Sequence, residues 1–275
     1  MRKNKSSLPR ISIITPSCNQ GKFIEKNIKS VLNQHYKNFE HIVIDGGSKD
    51  NTVAILKKYS HLKWVSEKDS GQSHAFNKGL KMATGQIIGW INSDDYLVKN
   101  IFREVAGSFD KNTDWVIGNI FIEYRIINKK IADVSPKISL SALQKKPDIV
   151  RQQGAFFRKE ILEKVGGLDE KIQIAMDCEL WFRLAKRSEP KMINRRWAYF
   201  VFHKDQKTSG KNLIRQTNQA IRILLKYRSP CLYIFVFAFR NYFYFIKYIA
   251  KICLIKAHLL KPQFVNISYF NKKLK

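Results

Sequence analysis

A strand, a helix and a polar cluster follow one another repeatedly in the first 110 residues, and that order leaves few folds open. Ile11-Ser12-Ile13-Ile14-Thr15 is a β-branched run that stops at Pro16 and reads as a buried strand. From Gly21 to Leu32, Phe23, Ile24, Ile28, Val31 and Leu32 fall at helical spacing. His41 to Ile44 predicts a second strand, Asn51 to Tyr59 a second helix, Lys63 to Glu67 a third strand and Gln72 to Met82 a third helix. Gln86 to Asn92 predicts a fourth strand. Alternation of this kind implies an α/β chain with a parallel sheet covered by helices. In such sheets ligands bind beyond the C-terminal ends of the strands. Each predicted strand ends in polar residues: Ser17 and Asn19, Asp45, Glu67 and Asp69, then Asp94 and Asp95. Parallel strands would bring these clusters to one edge.

The pattern then changes. Strand-like runs cover 115–119 and 120–127, and a helix is expected near 139–145. Another strand is expected within 149–158, a helix over 160–165 closed by Gly166-Gly167, and a helix from Asp177 to Lys186. Trp197 to Phe202 is strand-like and leads to His203.

Adjacent acids at a strand end admit two readings. Asp45 before Gly46-Gly47 can be a turn former, and Asp94-Asp95 can cap a helix. Alternatively, paired carboxylates suit a hard cation such as Mg²⁺ or Mn²⁺ that keeps positions open for phosphate oxygens, the arrangement a diphosphate leaving group needs.

Four stretches in order resemble the family 2 glycosyltransferases with the GT-A fold: "ISIITPSCNQGKFIEKNIKSVLNQ", "HIVIDGGSKDNT", "VSEKDSGQSHAFNKGLKMATGQIIGWINSDD" and "GGLDEKIQIAMDCELWFRLAKR". They cover roughly 11–95 and 149–205. The resemblance implies a Rossmann-like, mostly parallel sheet in a catalytic domain over 1–210. It implies an inverting transferase that moves a sugar from a nucleotide-diphosphate sugar to a hydroxyl. By the same resemblance, Thr15-Pro16-Ser17, Asn19 and Asp45 hold the nucleotide. Glu67 and Asp69 line the same edge, and Gln72, Asn77 and Lys78 lie near the donor. Asp94 and Asp95 stand at the aspartate motif for ribose and metal-bridged diphosphate, although many relatives carry a further Asp where this chain has Asn92. Asp177 matches the family's catalytic base, with Glu179 as its nearest competitor. His203, with Lys204, Lys207 and Thr208 beside it, is a candidate metal or diphosphate ligand. Trp181 and Phe182 read as core.

Residues 211–275 lie outside the resemblance. The net charge is +28, and from Lys186 onward twenty Lys/Arg face only Glu189 and Asp205. Such a balance points to a polyanionic surface. Residues 230–256 are rich in Phe, Tyr, Ile and Leu but carry Arg240, Lys247 and Lys251, which makes a poor spanning segment. Drawn as one helix, Arg240, Lys247, Lys251 and His258 fall on one line, with Lys226, Tyr233 and Tyr244 near it. A basic stripe beside a wide apolar face suits a helix lying in an anionic membrane interface through 230–260. Met1 to Lys5 is charged with no apolar run behind it, so no signal peptide is expected. The four cysteines show no metal-like spacing and suit a reducing compartment. The expected setting is cytoplasmic, peripherally on the inner face of the membrane, with a glycan or lipid-linked acceptor in surface polysaccharide assembly. The rival reading, a basic nucleic-acid-binding or metal-dependent nucleotidyl-transfer protein, rests on the charge and the paired aspartates. It lacks a recognised nucleic-acid motif, so no specific nucleic acid is expected.

Overall fold

In the computed structural model, residues 8–125, 128–203, 206 and 212–256 are described, with backbone only over 251–256. The apolar runs form strands where expected. β1 (Ile11–Ser17) is buried at every position. It pairs in parallel with β2 (Phe39–Asp45), which pairs in parallel with β3 (Leu62–Ser66). On its other side β1 takes β4 (Ile87–Trp90), again parallel. Between them run α1 (Ile24–Leu32), the short α2 (Thr52–Leu56) and α3 (Gln72–Met82). Helix α3 lies close on β1 at Gly79, where an added Cβ would come within 2.5 Å of the Ile14 side chain.

The remaining sheet is mixed rather than a continuation of the parallel series. After β4 the chain makes the two-residue β5 (Tyr96–Leu97) before α4 (Phe102–Ser108). The strand-like runs at 115–127 merge into one strand, β6 (Trp115–Tyr124), which turns back as β7 (Lys129–Asp133). Helix α5 (Leu140–Lys145) follows, with Ser139 as its N-cap accepting a hydrogen bond from the Ala142 N–H. The expected strand over 149–158 is shorter than the pattern suggested. Gln152–Gly154 is a 3-10 turn, and β8 (Ala155–Arg158) enters antiparallel between β4 and β6. Then come α6 (Lys159–Lys164), α7 (Met176–Ala185) and the twelve-residue β9 (Lys191–Phe202). β9 runs parallel to β6 and pairs with β5. The strand order is β3-β2-β1-β4-β8-β6-β9-β5, with β7 on β6. Because β8 is antiparallel to both β4 and β6, the C-terminal ends of β1, β2, β3, β4, β6 and β9 all share one edge.

Two helices close the described chain. α8 (Leu213–Lys226) and α9 (Cys231–Lys256) are separated by a break at Tyr227–Pro230, with Arg228 in the left-handed region at φ 52°. The continuous helical line drawn from the sequence through Lys226 is therefore corrected: Lys226 ends a different helix from Arg240. Ala220, Ile223, Leu224, Tyr227 and Phe237 belong to the same buried cluster as Trp115, Phe157, Trp181 and Phe182. Trp181 stacks on Trp115 at 5.8 Å between ring centroids, which makes it core as expected.

Candidate active site

The polar clusters converge as parallel pairing requires. Ser17 is the register partner of Asp45, and Asp45 of Ser66. Asp45 is fully buried. It accepts hydrogen bonds from the Ser48 N–H at 2.9 Å, the Ser48 hydroxyl at 2.5 Å and the Ser66 hydroxyl at 2.7 Å. Asn19, at φ 53°, ties the two loops together: its N–H donates to the Ser48 Oγ and its Oδ1 accepts from the Lys49 N–H. The Ser17 Oγ is buried and has no hydrogen-bond partner, an uncommon state for a buried hydroxyl. Thr15 departs from expectation. Its hydroxyl lies 3.0 Å from the His41 Nε2, between β1 and β2, so its side chain serves the interior. Burial pushes the His41 imidazole down to about 3, so that ring is neutral.

On the neighbouring strand, exposed Glu67 pairs with Lys78, and Asp69 accepts from the Gly71 N–H at 2.9 Å. Gln72 donates to the Asn92 Oδ1 at 2.7 Å, which brings α3 to the end of β4. Asn92 also accepts from the Trp90 indole and donates to the Gln152 Oε1 at 3.2 Å. Asn77 does not join this group. Its amide donates to the Leu168 carbonyl and to Glu170 and accepts from the Leu168 N–H, so it fastens α3 to the loop before α7. The expectation that it meets the donor is corrected on that ground.

The adjacent acids have different surroundings. Asp95 is 1% exposed. Its two oxygens accept from the Val201 N–H at 2.8 Å and from the Gln153 amide at 2.8 Å, so it clamps β4 to β9 and to the 3-10 turn. Burial, with the charge of Asp94, holds its carboxyl well above the usual range. Asp94 is the accessible member, at 19% side-chain exposure, and its Oδ2 lies 3.0 Å from the His203 Nε2. The His203 ring in turn packs against Phe23, with centroids 4.3 Å apart and the rings tilted by 31°. Among the described residues no group of three or more His, Cys, Asp or Glu stands close enough to hold an ion. Asp94 and His203 can offer two ligands, and diphosphate oxygens and water would have to supply the rest. Asp95, enclosed and with both oxygens engaged, is the poorer ligand of the two. Lys204, Lys207 and Thr208 lie outside the described residues.

Asp177 sits in the first turn of α7, where Ala175, at φ 62°, holds the cap position. The helix thus begins at Met176, one residue before the start expected from the sequence. The Asp177 Oδ1 accepts from the Cys178 N–H at 2.9 Å. Burial raises its carboxyl above the ordinary value, against the pull of local hydrogen bonds and the Arg151 charge. A carboxylate so placed is a stronger base than one in water. Glu179 is excluded as its competitor. It is 1% exposed and accepts from Arg183 at 2.7 Å, Lys226 at 2.8 Å and the Tyr227 hydroxyl at 2.8 Å. Burial alone would raise its carboxyl, but these partners hold it below the usual value.

The family model for glycosyl transferase family 2 matches residues 12–166, more than half of the chain. The chain belongs to that family. An uncharacterised glycosyltransferase of Mycobacterium tuberculosis is 31% identical over 196 residues, covering 68% of this chain and 73% of the relative. A Campylobacter jejuni protein described as GalNAc(5)-diNAcBac-PP-undecaprenol beta-1,3-glucosyltransferase is 27% identical over 236 residues, covering 80% and 72%. Among solved structures, S. aureus TarS 1–349 superposes with a TM-score of 0.63 at 20% identity, over 79% of this chain and 65% of that one. The mannosyltransferase PcManGT from Pyrobaculum calidifontis, solved with GDP-Man and Mn²⁺, superposes at 0.59 and 19% identity, over 86% and 70%. The chain thus spans just under two thirds of the TarS fragment. These likenesses show the GT-A fold of this family 2 transferase.

Two residues at or beside the site were not legible beforehand. Gln153, which fixes Asp95, falls in a stretch that reads as strand. Arg125 lies just past the end of β6. The register pairs Tyr124 with Phe202, so the next residues along the two strands are Arg125 and His203. Only the β6–β9 pairing, between residues about eighty apart, brings them together.

Proposed function

We propose that this family 2 transferase moves a sugar from a nucleotide-diphosphate donor to the hydroxyl of a glycan or lipid-linked acceptor, with inversion at the anomeric carbon. The observation that carries this reading is the shared edge, with the unpartnered Ser17 hydroxyl beside Asp45 and the Asp94–His203 pair at the end of β4, taken together with the basic carboxylate of Asp177 in the first turn of α7. The nucleotide would lie across β1–β3, held by Ser17 and the backbone of the Thr15-Pro16-Ser17 turn, with the buried, fully paired Asp45 and with Asn19 fixing the loops around it. Glu67, Asp69, Gln72 and Lys78 would line its sides.

Asp94 and His203 would hold a divalent metal such as Mn²⁺ or Mg²⁺, which when bound neutralises charge on the diphosphate. Asp95 would position Asp94 by tying its strand end to β9. Asp177 would take the acceptor hydroxyl's proton as that oxygen attacks the anomeric carbon. The bond from that carbon to the diphosphate oxygen breaks, and its electron pair leaves with the nucleoside diphosphate. Relatives solved with UDP-GlcNAc and with GDP-Man and Mn²⁺ support a nucleotide-sugar and a divalent ion. The Campylobacter relative's description supports a lipid-linked acceptor.

The C-terminal helices support a place at a membrane surface, though on other grounds than the basic stripe. No helix of the described residues is long and apolar enough to cross a membrane. Arg240 faces the catalytic body, 3.5 Å from Asp148 and over the Phe237 ring. The exposed face of α9 is largely apolar, formed by Leu232, Phe235, Val236, Phe239, Phe243 and Ile246, with the exposed Lys247 over the Phe243 ring. Such a face suits insertion into a lipid interface on the cytoplasmic side, in surface polysaccharide assembly. The Lys251 side chain and His258 fall outside the described residues.

The test is a thermal-shift screen of nucleotide-sugars with and without Mn²⁺, followed by transfer assays with the donor it identifies. Stabilisation by one donor that needs the metal and vanishes in Asp94→Asn is the expected result. Indifference to every donor would overturn the reading.

A further inference from the structure

Beside the Asp94–His203 pair, but outside it, lies a cluster of cations that the reading above does not use. Glu123, near the end of β6, is 13% exposed. Three cations share this one carboxylate: Lys26 of α1 at 3.4 Å, Lys130 of β7 at 3.4 Å and Arg125 at 3.7 Å. Tyr96 also donates its hydroxyl to Glu123. Three positive charges against one negative leave the group two charges in excess. Its cations remain open to solvent, with side-chain exposures of 45%, 55% and 36% for Lys26, Lys130 and Arg125.

The frame around them is fixed. Lys26 lies over the Tyr96 ring at 3.6 Å, Tyr96 stacks on Tyr199 at 4.4 Å, and Lys130 lies over Tyr199 at 5.2 Å. Arg125 lies over the Phe23 ring at 4.8 Å, and Phe23 packs at a tilt against His203, which bonds Asp94. The cluster therefore stands at the same sheet edge as the proposed transfer site, with one aromatic ring between Arg125 and His203.

We infer that Arg125, Lys26 and Lys130 form an anion subsite for a phosphate or diphosphate group carried by the acceptor, separate from the donor's diphosphate. Arg125 presents a planar fork suited to two phosphate oxygens, and the lysines supply point charges beside it. Glu123 holds the three side chains together while the subsite is empty. The Phe23 ring separates this anion from the one at Asp94. An acceptor that carries phosphate near the accepting sugar would be held there while its hydroxyl reaches the transfer site.

The role of the bound group rests on the glycosyl-transfer reading, but the subsite is tested without turnover. Inorganic pyrophosphate is titrated calorimetrically into the full chain, alone and again with Mn²⁺ and a saturating nucleoside diphosphate. The same titrations are run on Arg125→Gln/Lys130→Gln and on a control of equal charge loss, Lys111→Gln/Lys164→Gln, at exposed positions. The expected result is pyrophosphate binding that survives saturation with the nucleotide, weakens at least tenfold in the first variant and is unchanged in the control. Nucleotide affinity stays within about twofold throughout. Pyrophosphate fully displaced by the nucleotide would place it in the donor site and overturn the proposal. Equal weakening in both variants would reduce it to attraction by a polycation and overturn it as well. If the nucleotide itself does not bind, the transfer reading fails while the pyrophosphate titration still decides the subsite.

Discussion

The strand-end edge and the C-terminal helix pair solve opposite problems. At the edge, polar groups keep unused hydrogen-bonding capacity: Asp94 is partly exposed, the buried Ser17 hydroxyl lacks a partner and Arg125 faces water. Where the helix pair meets α7 the decisive polar group is sealed. Glu179 is almost wholly buried, and its partners come from α7 itself, the end of α8 and Tyr227, whose ring stacks on Phe182 at 4.5 Å. The first arrangement leaves hydrogen-bonding capacity for a ligand. The second uses that capacity to join an apolar helix pair to the helix that carries Asp177. One chain can therefore hold similar carboxylates two residues apart, at 177 and 179, for unlike purposes, because burial with complete pairing removes a group from chemistry.

Substitutions can break this comparison. The largest effect is expected for Asp177→Asn, which should lower turnover by about 10²–10⁴-fold, the usual worth of a general base. Donor affinity should stay near wild type in a calorimetric titration, and turnover within a few fold of normal would move the base elsewhere. Next, Phe239→Glu/Phe243→Glu should remove most binding to anionic lipid vesicles. Each exposed Phe is worth about 1.5–3 kcal/mol when buried in an apolar phase, so a sedimentation assay should show at least a tenfold loss per residue. Retention of the double variant on vesicles would refute the apolar face as the contact.

Glu179→Gln should cost about 2–3 kcal/mol in denaturant unfolding, since it removes charge-assisted bonds from a buried position. A value near zero would mean that the helix pair is not held there. The smallest effect is on pH dependence. Because burial raises the Asp177 carboxyl, its base form is lost on acidification sooner than for an ordinary carboxylate. The acid limb of kcat should therefore lie above the usual Asp range, and Glu179→Gln should leave that limb in place. Glu40 runs the other way. Burial opposes ionisation, but Lys63, Ser12 and Thr84 bring its carboxyl down to about 2 from 4.5. Its contribution to stability is present above about 4.5 and is lost as pH falls toward 2. Wild type should thus lose stability through that window faster than Glu40→Gln.

Much of the edge was legible because its causes are local. A β-branched run that stops at a polar residue makes a strand end, and α3 begins and ends where helical spacing said it would. The mixed half of the sheet was not, since β8 is inserted antiparallel between β4 and β6 by contacts distant in sequence. The same limit hid Gln153 and Arg125, whose neighbours come from β9. The directions of the Thr15 and Asn77 side chains were hidden for a different reason. A motif names the residue, but whether its side chain turns toward ligand or toward protein depends on packing: on His41 for Thr15 and on the Leu168 loop for Asn77. In the tail, periodicity found the helix, but only the break at Tyr227–Pro230 decided which side met the body and left the apolar side exposed.

The joint at Glu179 also bears on how much of this chain has to be kept for it to work. The family match stops at residue 166, and two of the three residues that hold Glu179 lie at 226 and 227. A fragment cut at about 210 would keep every proposed transfer group, yet it would strip the cover from α7 and leave a sealed carboxylate with fewer partners. The smallest self-sufficient enzyme should therefore extend through α8, and a shorter one should come out of cells in aggregates rather than as an unanchored catalyst.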